Sequence, residues 1–168
     1  MSLGKDVDLD EVFNKAFELE KRYGGCTQAV LTTLQEYFPR ISDDTITSAY
    51  SLAGGSGLSC KGTCGALVGG LMAISSLYGR PKEGFGNERE YRQAYRISIK
   101  LVKRFEKEYG SIRCCDIQEK IFGRSFDLMT REGNIELDKA GGHEDKCTTV
   151  AGNGARWAMK ILKEVEDG

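Results

Sequence analysis

The sequence predicts an all-α protein, and two observations support that prediction. Apolar residues recur at helical spacing along almost the whole chain, and no segment alternates between apolar and polar residues as a strand does. The length of 168 residues also suits one domain with a complete hydrophobic core. We therefore expect a single helical domain over residues 1–168, a bundle of about six or seven helices, with residues 1–8 flexible and 125–146 irregular.

The first three predicted helices are short and lie early in the chain. Apolar residues at helical spacing form the first helix, which ends at Gly24. The second helix begins at Cys26 and ends before Pro39, because proline lacks the amide that a helix interior needs. The third begins at Asp43, a residue type favoured at helix starts.

The fourth helix, over residues 63–78, is predicted to be the central buried helix because it is apolar on most faces. Its glycines and alanines allow neighbouring backbones to approach closely. A long amphipathic helix follows over about residues 87–109, and a short helix follows over residues 114–122. The last helix carries apolar residues at helical spacing over residues 150–165.

The charge balance argues against two classes of function. The chain has 24 Lys and Arg against 25 Asp and Glu, whereas proteins that bind nucleic acid or membrane surfaces usually show a basic excess. The first residues are polar, and no apolar stretch is long enough to span a bilayer. We therefore expect a cytoplasmic protein that binds neither nucleic acid nor a membrane.

Four of the six cysteines stand where a predicted helix begins, namely Cys26, Cys64, Cys114 and Cys147. A helix N-terminus carries a partial positive charge and unpaired N–H groups. A thiolate at such a position is stabilised, so its pKa should fall and it should become a better nucleophile or metal ligand. The pattern predicts a thiol-based site in which these four cysteines converge.

Two chemistries suit such a site, and the residues leave both open. In a thiol-dependent oxidoreductase, two thiols form a reversible disulfide. Cys64 would then be the nucleophile, and Cys26 or Cys60 would resolve the mixed disulfide. In a metal centre, Cys26, Cys64, Cys114 and Cys147 would hold zinc or an iron–sulfur cluster, either for electron transfer or for structure, storage or sensing. A helical interaction module with buried structural cysteines is a further alternative.

Other sequence features limit which cofactors and residues the predicted thiol site contains. The chain has no C-x-x-C-H motif, so covalently attached haem is not expected. Cys115 is interpreted as a bystander beside Cys114, because adjacent residues do not share a helix face. His143, the one histidine, is interpreted as a solvated loop residue, and a fifth ligand or a proton donor near Cys147 is the alternative.

Basic residues at helical spacing form a stripe along the long helix: Arg89, Arg92, Arg96, Lys100, Lys103 and Lys107. A solvated outer face is the favoured interpretation. The alternative is a docking surface for an acidic redox partner protein. Helix faces with small and aromatic residues are compatible with a homodimer.

The segment Cys64-Gly65-Ala66-Leu67-Val68-Gly69 matches the motif CGAxxG. Together with the order of the cysteines around it, the segment resembles the C_GCAxxG_C_C family of redox-active proteins. That family is recognised by one cysteine upstream of the motif, one inside it and two downstream. The corresponding residues here are Cys26, Cys64, Cys114 and Cys147. The resemblance covers roughly residues 24–165, leaves Cys60 and Cys115 outside the pattern, and implies a redox role for the four cysteines.

Overall fold

The computed structural model describes residues 7–167, and this part of the chain contains eight α-helices and no β-strand. The prediction of an all-α single domain is confirmed. In chain order the helices are α1 (Leu9–Tyr23), α2 (Cys26–Gln35), α3 (Asp43–Ser48), α4 (Gly65–Tyr78), α5 (Arg92–Tyr109), α6 (Cys114–Phe122), α7 (Arg131–Lys139) and α8 (Cys147–Asp167).

The region expected to be irregular, residues 125–146, instead contains α7 and a π-helical turn, Gly142–Lys146. That prediction is wrong because local capping organises a polar sequence: the Thr130 hydroxyl accepts a hydrogen bond from the Gly133 N–H. Of the expected flexible residues 1–8, residues 1–6 lie outside the described part, and Asp8 caps α1. Helix α5 begins later than expected, because residues 88–91 form turns.

Helix α4 lies at the centre, as predicted, and its glycines set its distance from three neighbours. A Cβ added at Gly69 would come within 2.9 Å of Val30 on α2. A Cβ added at Gly70 would meet Leu101 on α5 at 2.5 Å and Ala158 on α8 at 3.3 Å. The absence of side chains at these two positions therefore lets α2, α5 and α8 pack directly on α4.

Helix α1 packs against α8 and also against α2. These contacts bring the C-terminal half of α1 beside the N-termini of α2 and α8. The candidate site lies there. Across residues 7–167, no helix has the length and hydropathy that crossing a membrane requires. The basic residues of the predicted stripe are all exposed to solvent, and their role in docking stays a prediction.

Candidate thiol site

One cavity of about 100 Å³ brings together the four cysteines that resemble the family pattern. Cys26, Cys114 and Cys147 are the first residues of α2, α6 and α8, and Cys64 is the N-cap of α4. The structure therefore places each of the four at a helix start, as the sequence predicts. Most of the wall is apolar, and its polar members include Glu20, Gln118, Asn134 and His143.

Two segments distant in sequence, residues 60–64 and 112–115, are held together by backbone hydrogen bonds. We call this pairing the backbone clamp. Three amides donate across it: Cys64 N–H to Ile112 O at 2.8 Å, Cys114 N–H to Gly62 O at 2.9 Å, and Cys115 N–H to Cys60 O at 2.9 Å. The clamp fixes the starts of α4 and α6 relative to each other.

The backbone of the loop before the clamp lies mostly in the left-handed region, where φ is positive. Residues 54–58 all have positive φ, and so does Cys60, with φ 59°. Such geometry costs a residue with a side chain about 1–2 kcal/mol. A Cβ at Gly55 would lie 2.9 Å from both Cys60 Cα and Cys114 Cβ, so only glycine fits between them. The loop thus folds Cys60 back beside Cys114. We call these two cysteines the inner pair.

Gln118 joins the inner pair through its side-chain amide. Its Nε2 donates to the sulfur of Cys60 and to the sulfur of Cys114, each at 3.6 Å. Its Oε1 accepts from the Phe126 N–H at 2.9 Å, which fixes the orientation of the amide. The Cys60 thiol in turn donates to the Phe126 carbonyl at 3.3 Å. The inner pair is therefore enclosed in a hydrogen-bonded network.

This network lowers the pKa of Cys60 to about 7. The hydrogen bond from the Cys114 thiol is the largest cause, and the Leu128 N–H and Gln118 add to it, so together they outweigh burial. Donating that hydrogen bond and being buried both raise the pKa of Cys114. Near neutral pH Cys60 is therefore partly ionised, while Cys114 stays a thiol.

The cysteines at the starts of α2, α4 and α8 show the opposite shift from the one expected. Burial raises the pKa of Cys64 to about 11, although the N–H groups of Ala66 and Leu67 at the start of α4 lower it. Burial, followed by the Glu20 carboxylate, raises the pKa of Cys26 and of Cys147. The pKa of Cys114 is raised as well, so the expected lowering by helix ends is wrong for all four thiols, because burial outweighs the effect of the helix ends.

The choice of Cys64 as nucleophile stays a prediction, and burial weighs against it. Cys64 is only 7 % exposed, and burial raises the pKa of its thiol to about 11. Cys60, which lies outside the family pattern, is the more ionised thiol. Cys115 does not line the cavity, and its thiol donates to Asp116 Oδ1 at 3.3 Å. Its position agrees with the interpretation of Cys115 as a bystander.

Sequence reasoning missed Glu20 and Gln118. Glu20 follows Val12 and Ala16 at four-residue spacing on the buried face of α1, and a carboxylate at such a core position is a signal of function. Gln118 lies one turn after Cys114, on the same face of α6. Neither residue belongs to a cysteine motif, so the cysteine pattern does not point to either.

His143 lies at the edge of the cavity, between two carboxylates. Its Nδ1 is 2.6 Å from Asp138 Oδ1, and its Nε2 is 3.9 Å from Glu20 Oε1. Glu20 is only 3 % exposed, and burial raises its pKa to about 7 while His143 opposes that rise. The His143 side chain remains 38 % exposed, so it joins the cavity to solvent.

The metal-centre alternative finds no ligand group in the described part of the chain. Within residues 7–167, no set of three or more His, Cys, Asp or Glu side chains is arranged to hold a metal ion. The four cavity thiols thus share a wall without forming such a set.

The fold and the cavity define the protein as an all-α protein with four thiols in the wall of one cavity. Residues 25–161 match the model of a family described as "Putative redox-active protein (C_GCAxxG_C_C)". The match spans most of the chain and all six cysteines, and the chain belongs to this family. Glu20 lies before the matched region. Comparisons with curated proteins and with solved structures give no match.

Proposed function

We propose that the protein is a thiol–disulfide oxidoreductase that exchanges electrons with a disulfide of a partner protein. The observation on which this rests is the inner pair, Cys60 and Cys114, which flank Gly55 next to a cavity lined by further thiols. Cys60 is partly ionised near neutral pH and Cys114 is a thiol, and a dithiol that closes to a disulfide needs one thiolate to attack.

Cys147 is the thiol best placed to meet the partner. It lines the cavity, remains partly exposed and packs against the cluster that contains both members of the inner pair. Cys26 also lines the cavity, but it packs against the main hydrophobic core instead. We therefore assign the first contact with the partner disulfide to Cys147.

The exchange balances as a two-electron reaction. The Cys147 thiolate attacks one sulfur of the partner disulfide, and the other sulfur leaves as a thiolate. The Cys60 thiolate then attacks Cys147 Sγ and releases the second partner thiolate. Cys114 loses its proton, attacks Cys60 Sγ and frees Cys147. The inner pair has become a disulfide, and the partner disulfide has become two thiols. One of their two protons is the proton that Cys114 lost, and the other comes from solvent, because Cys60 reacts as a thiolate.

The size of the cavity favours a protein partner over a bulky cofactor. Pockets for small organic ligands usually measure about 300–1,000 Å³. A cavity of about 100 Å³ admits the sulfur-bearing tip of a partner side chain and little more. An exposed disulfide on another protein presents such a tip.

Redox titration with disulfide mapping tests this proposal. The reduced protein is equilibrated anaerobically in glutathione buffers of graded potential, and its disulfides are mapped by mass spectrometry. We expect a two-electron transition to a Cys60–Cys114 disulfide, absent in Cys60→Ser and unchanged in the matched control Cys115→Ser. We expect Cys147→Ser to keep the same midpoint potential while slowing the approach to equilibrium at least tenfold.

A wild-type protein that forms no Cys60–Cys114 disulfide at any potential would overturn the proposal. So would a Cys60→Ser variant with the same transition as Cys115→Ser. If Cys147→Ser equilibrates at the wild-type rate, the assignment of the first contact to Cys147 is wrong.

A further inference from the structure

We propose that Glu20 accepts the proton of the Cys147 thiol during exchange, and that His143 and Asp138 pass this proton to solvent. The inference rests on the proposed function, since it concerns how one of its thiols is activated. It names a group outside the region that matches the family, on the buried face of α1.

The proposed reaction needs a base at this place. Cys147 must attack as a thiolate, yet burial and the Glu20 carboxylate both raise its pKa. The start of α8 therefore does not supply enough stabilisation to ionise the thiol. A group that removes the proton as the sulfur attacks resolves this conflict.

Glu20 has the position and the free oxygen for that role. It lines the same cavity as Cys147, and its Oε2 is buried without any hydrogen-bond partner. A buried unpartnered carboxylate oxygen is costly, and native proteins seldom keep one without use. Glu20 therefore brings to the wall of the thiol cavity a carboxylate with one oxygen that accepts no hydrogen bond.

Four groups that ionise face Glu20 from the elements packed around it. They are Cys26 on α2, Cys64 at the start of α4, Cys147 on α8, and His143 on the π-helical turn. Of these, only His143 carries a positive charge when protonated, and it favours the ionised carboxylate. Burial dominates, so the pKa of Glu20 is about 7, and a base that titrates near neutral pH transfers protons efficiently.

The proton has a path outward from Glu20. His143 Nε2 lies 3.9 Å from Glu20 Oε1, which is about 1 Å beyond hydrogen-bond contact. His143 Nδ1 already bonds Asp138 Oδ1 at 2.6 Å, and the Asp138 side chain is largely exposed. The π-helical turn holds the imidazole between the two carboxylates, because the amides of residues 144–146 all donate to Gly141 O.

Bonds, electrons and protons balance in the attack of Cys147 on the partner disulfide. The S–H bond of Cys147 breaks, its electron pair forms the new S–S bond, and its proton moves to a Glu20 oxygen. Glu20 returns the proton through His143 and Asp138 to water. The thiolate that leaves the partner takes a proton from solvent, so no other reactant is required.

The test measures Cys147 oxidation in the reduced full chain with 2-hydroxyethyl disulfide as the probe. Rapid acid quench and peptide mapping follow the mixed disulfide at Cys147 between pH 5 and 9. In the wild type, we expect the rate to rise with a midpoint near pH 7. In Glu20→Gln, that inflection disappears and the rate at pH 7 falls about 100-fold. Glu18→Gln, an exposed change on the same helix, keeps the wild-type profile.

A substitution at an exposed residue, Asp138, tests the route of the proton independently of Glu20. Asp138→Asn lies at the surface and should leave folding intact, while slowing Cys147 oxidation severalfold in weak buffer. Added imidazole buffer should restore the rate, because it replaces the lost route for the proton. A purely structural role for Asp138 would not respond to buffer.

The inference is overturned if Glu20→Gln keeps the wild-type rate and pH profile, or if Glu18→Gln loses them equally. Failure of the proposed function looks different: the wild-type inner pair then forms no disulfide at equilibrium. If Glu20→Gln reaches the wild-type midpoint potential at the wild-type rate, the oxidoreductase proposal stands and only the role of Glu20 falls.

Discussion

At Cys64 two effects act on one sulfur and oppose each other. The first amides of α4 stabilise the thiolate, and burial destabilises it, with a resulting pKa of about 11. At Cys60 the balance is reversed, because a neighbouring thiol and the Gln118 amide add direct hydrogen bonds. Ionisation of these cysteines is therefore decided by specific hydrogen-bond donors and by burial, while the position at a helix start contributes less.

Gln118→Leu tests that conclusion. The change removes the N–H donors from both inner-pair sulfurs and leaves the Phe126 N–H without its acceptor. We expect the pKa of Cys60 to rise, so that its alkylation by iodoacetamide at pH 7 slows severalfold. The free energy of unfolding should fall by about 1–3 kcal/mol, because a buried amide loses its partner.

Peptide mapping of alkylated Cys60 across pH and urea denaturation supply the two measurements. Gln93→Leu, an exposed change of the same kind on α5, serves as the control. An unchanged pH profile for Cys60 in Gln118→Leu would show that the amide does not set its ionisation.

Glu20 also makes stability depend on pH. Its pKa is raised from 4.5 to about 7 by burial, so between these values the folded state keeps a proton that the unfolded state has lost. The free energy of unfolding should therefore fall as pH rises through this window, by about 3 kcal/mol from this group alone. Below pH 4.5 the contribution vanishes.

The comparison of Glu20→Gln with wild type isolates this contribution. Relative to wild type, the variant should gain stability between pH 4.5 and pH 7.5, as measured by urea denaturation at each pH. Glu18→Gln should show no such gain. A constant difference between Glu20→Gln and wild type across that range would mean that Glu20 stays ionised in the folded protein.

At the scale of elements, the approach of α4 to α2 depends on Gly65. A Cβ at this position would overlap Cys26 Sγ and lie 2.7 Å from Thr27 Oγ1. Gly65→Ala should therefore push the two helix starts apart and lower the free energy of unfolding by about 1–3 kcal/mol. Thermal unfolding measures this loss, with the exposed Ser75→Ala on the same helix as the control.

We expect Ser75→Ala to stay within about 0.5 kcal/mol of wild type. Gly65→Ala should also change the reactivity of Cys26, since its sulfur is one of the displaced atoms. If Gly65→Ala is as stable as Ser75→Ala, the contact between the two helix starts is looser than described.

The helix starts at the four cysteines were predictable because local patterns set them: a glycine pair before Cys26, a glycine-rich loop before Cys64, and apolar residues at helical spacing after each cysteine. The helix α7 was not predictable from periodicity, because it is polar and contains Gly133, and its Thr130 cap is a weak signal. The convergence of the cysteines on one cavity, and the sign of their pKa shifts, depend on packing between distant helices, which sequence spacing does not encode.

At the scale of the whole molecule, oxidation of the inner pair should stabilise the fold. A disulfide between Cys60 and Cys114 closes a long loop and reduces the entropy of the unfolded chain, a contribution of about 4 kcal/mol. Guanidinium denaturation of the oxidised and reduced proteins should show this increase in wild type and in Cys115→Ser.

The same comparison in Cys114→Ser should show no increase. Oxidised wild-type protein that is less stable than the reduced form would mean that the bond distorts the native backbone, and the inner pair would then be poorly suited to reversible exchange.

The backbone clamp has a further consequence for how the oxidation state is communicated. Three hydrogen bonds already hold the main chain around Cys60 and Cys114 in place before any bond forms between their sulfurs. Reduced and oxidised protein should therefore present nearly the same outline to other molecules. A partner that distinguishes the two forms therefore has to react with the sulfur atoms of Cys60 and Cys114. It cannot tell the oxidised protein from the reduced protein by the shape of the surface.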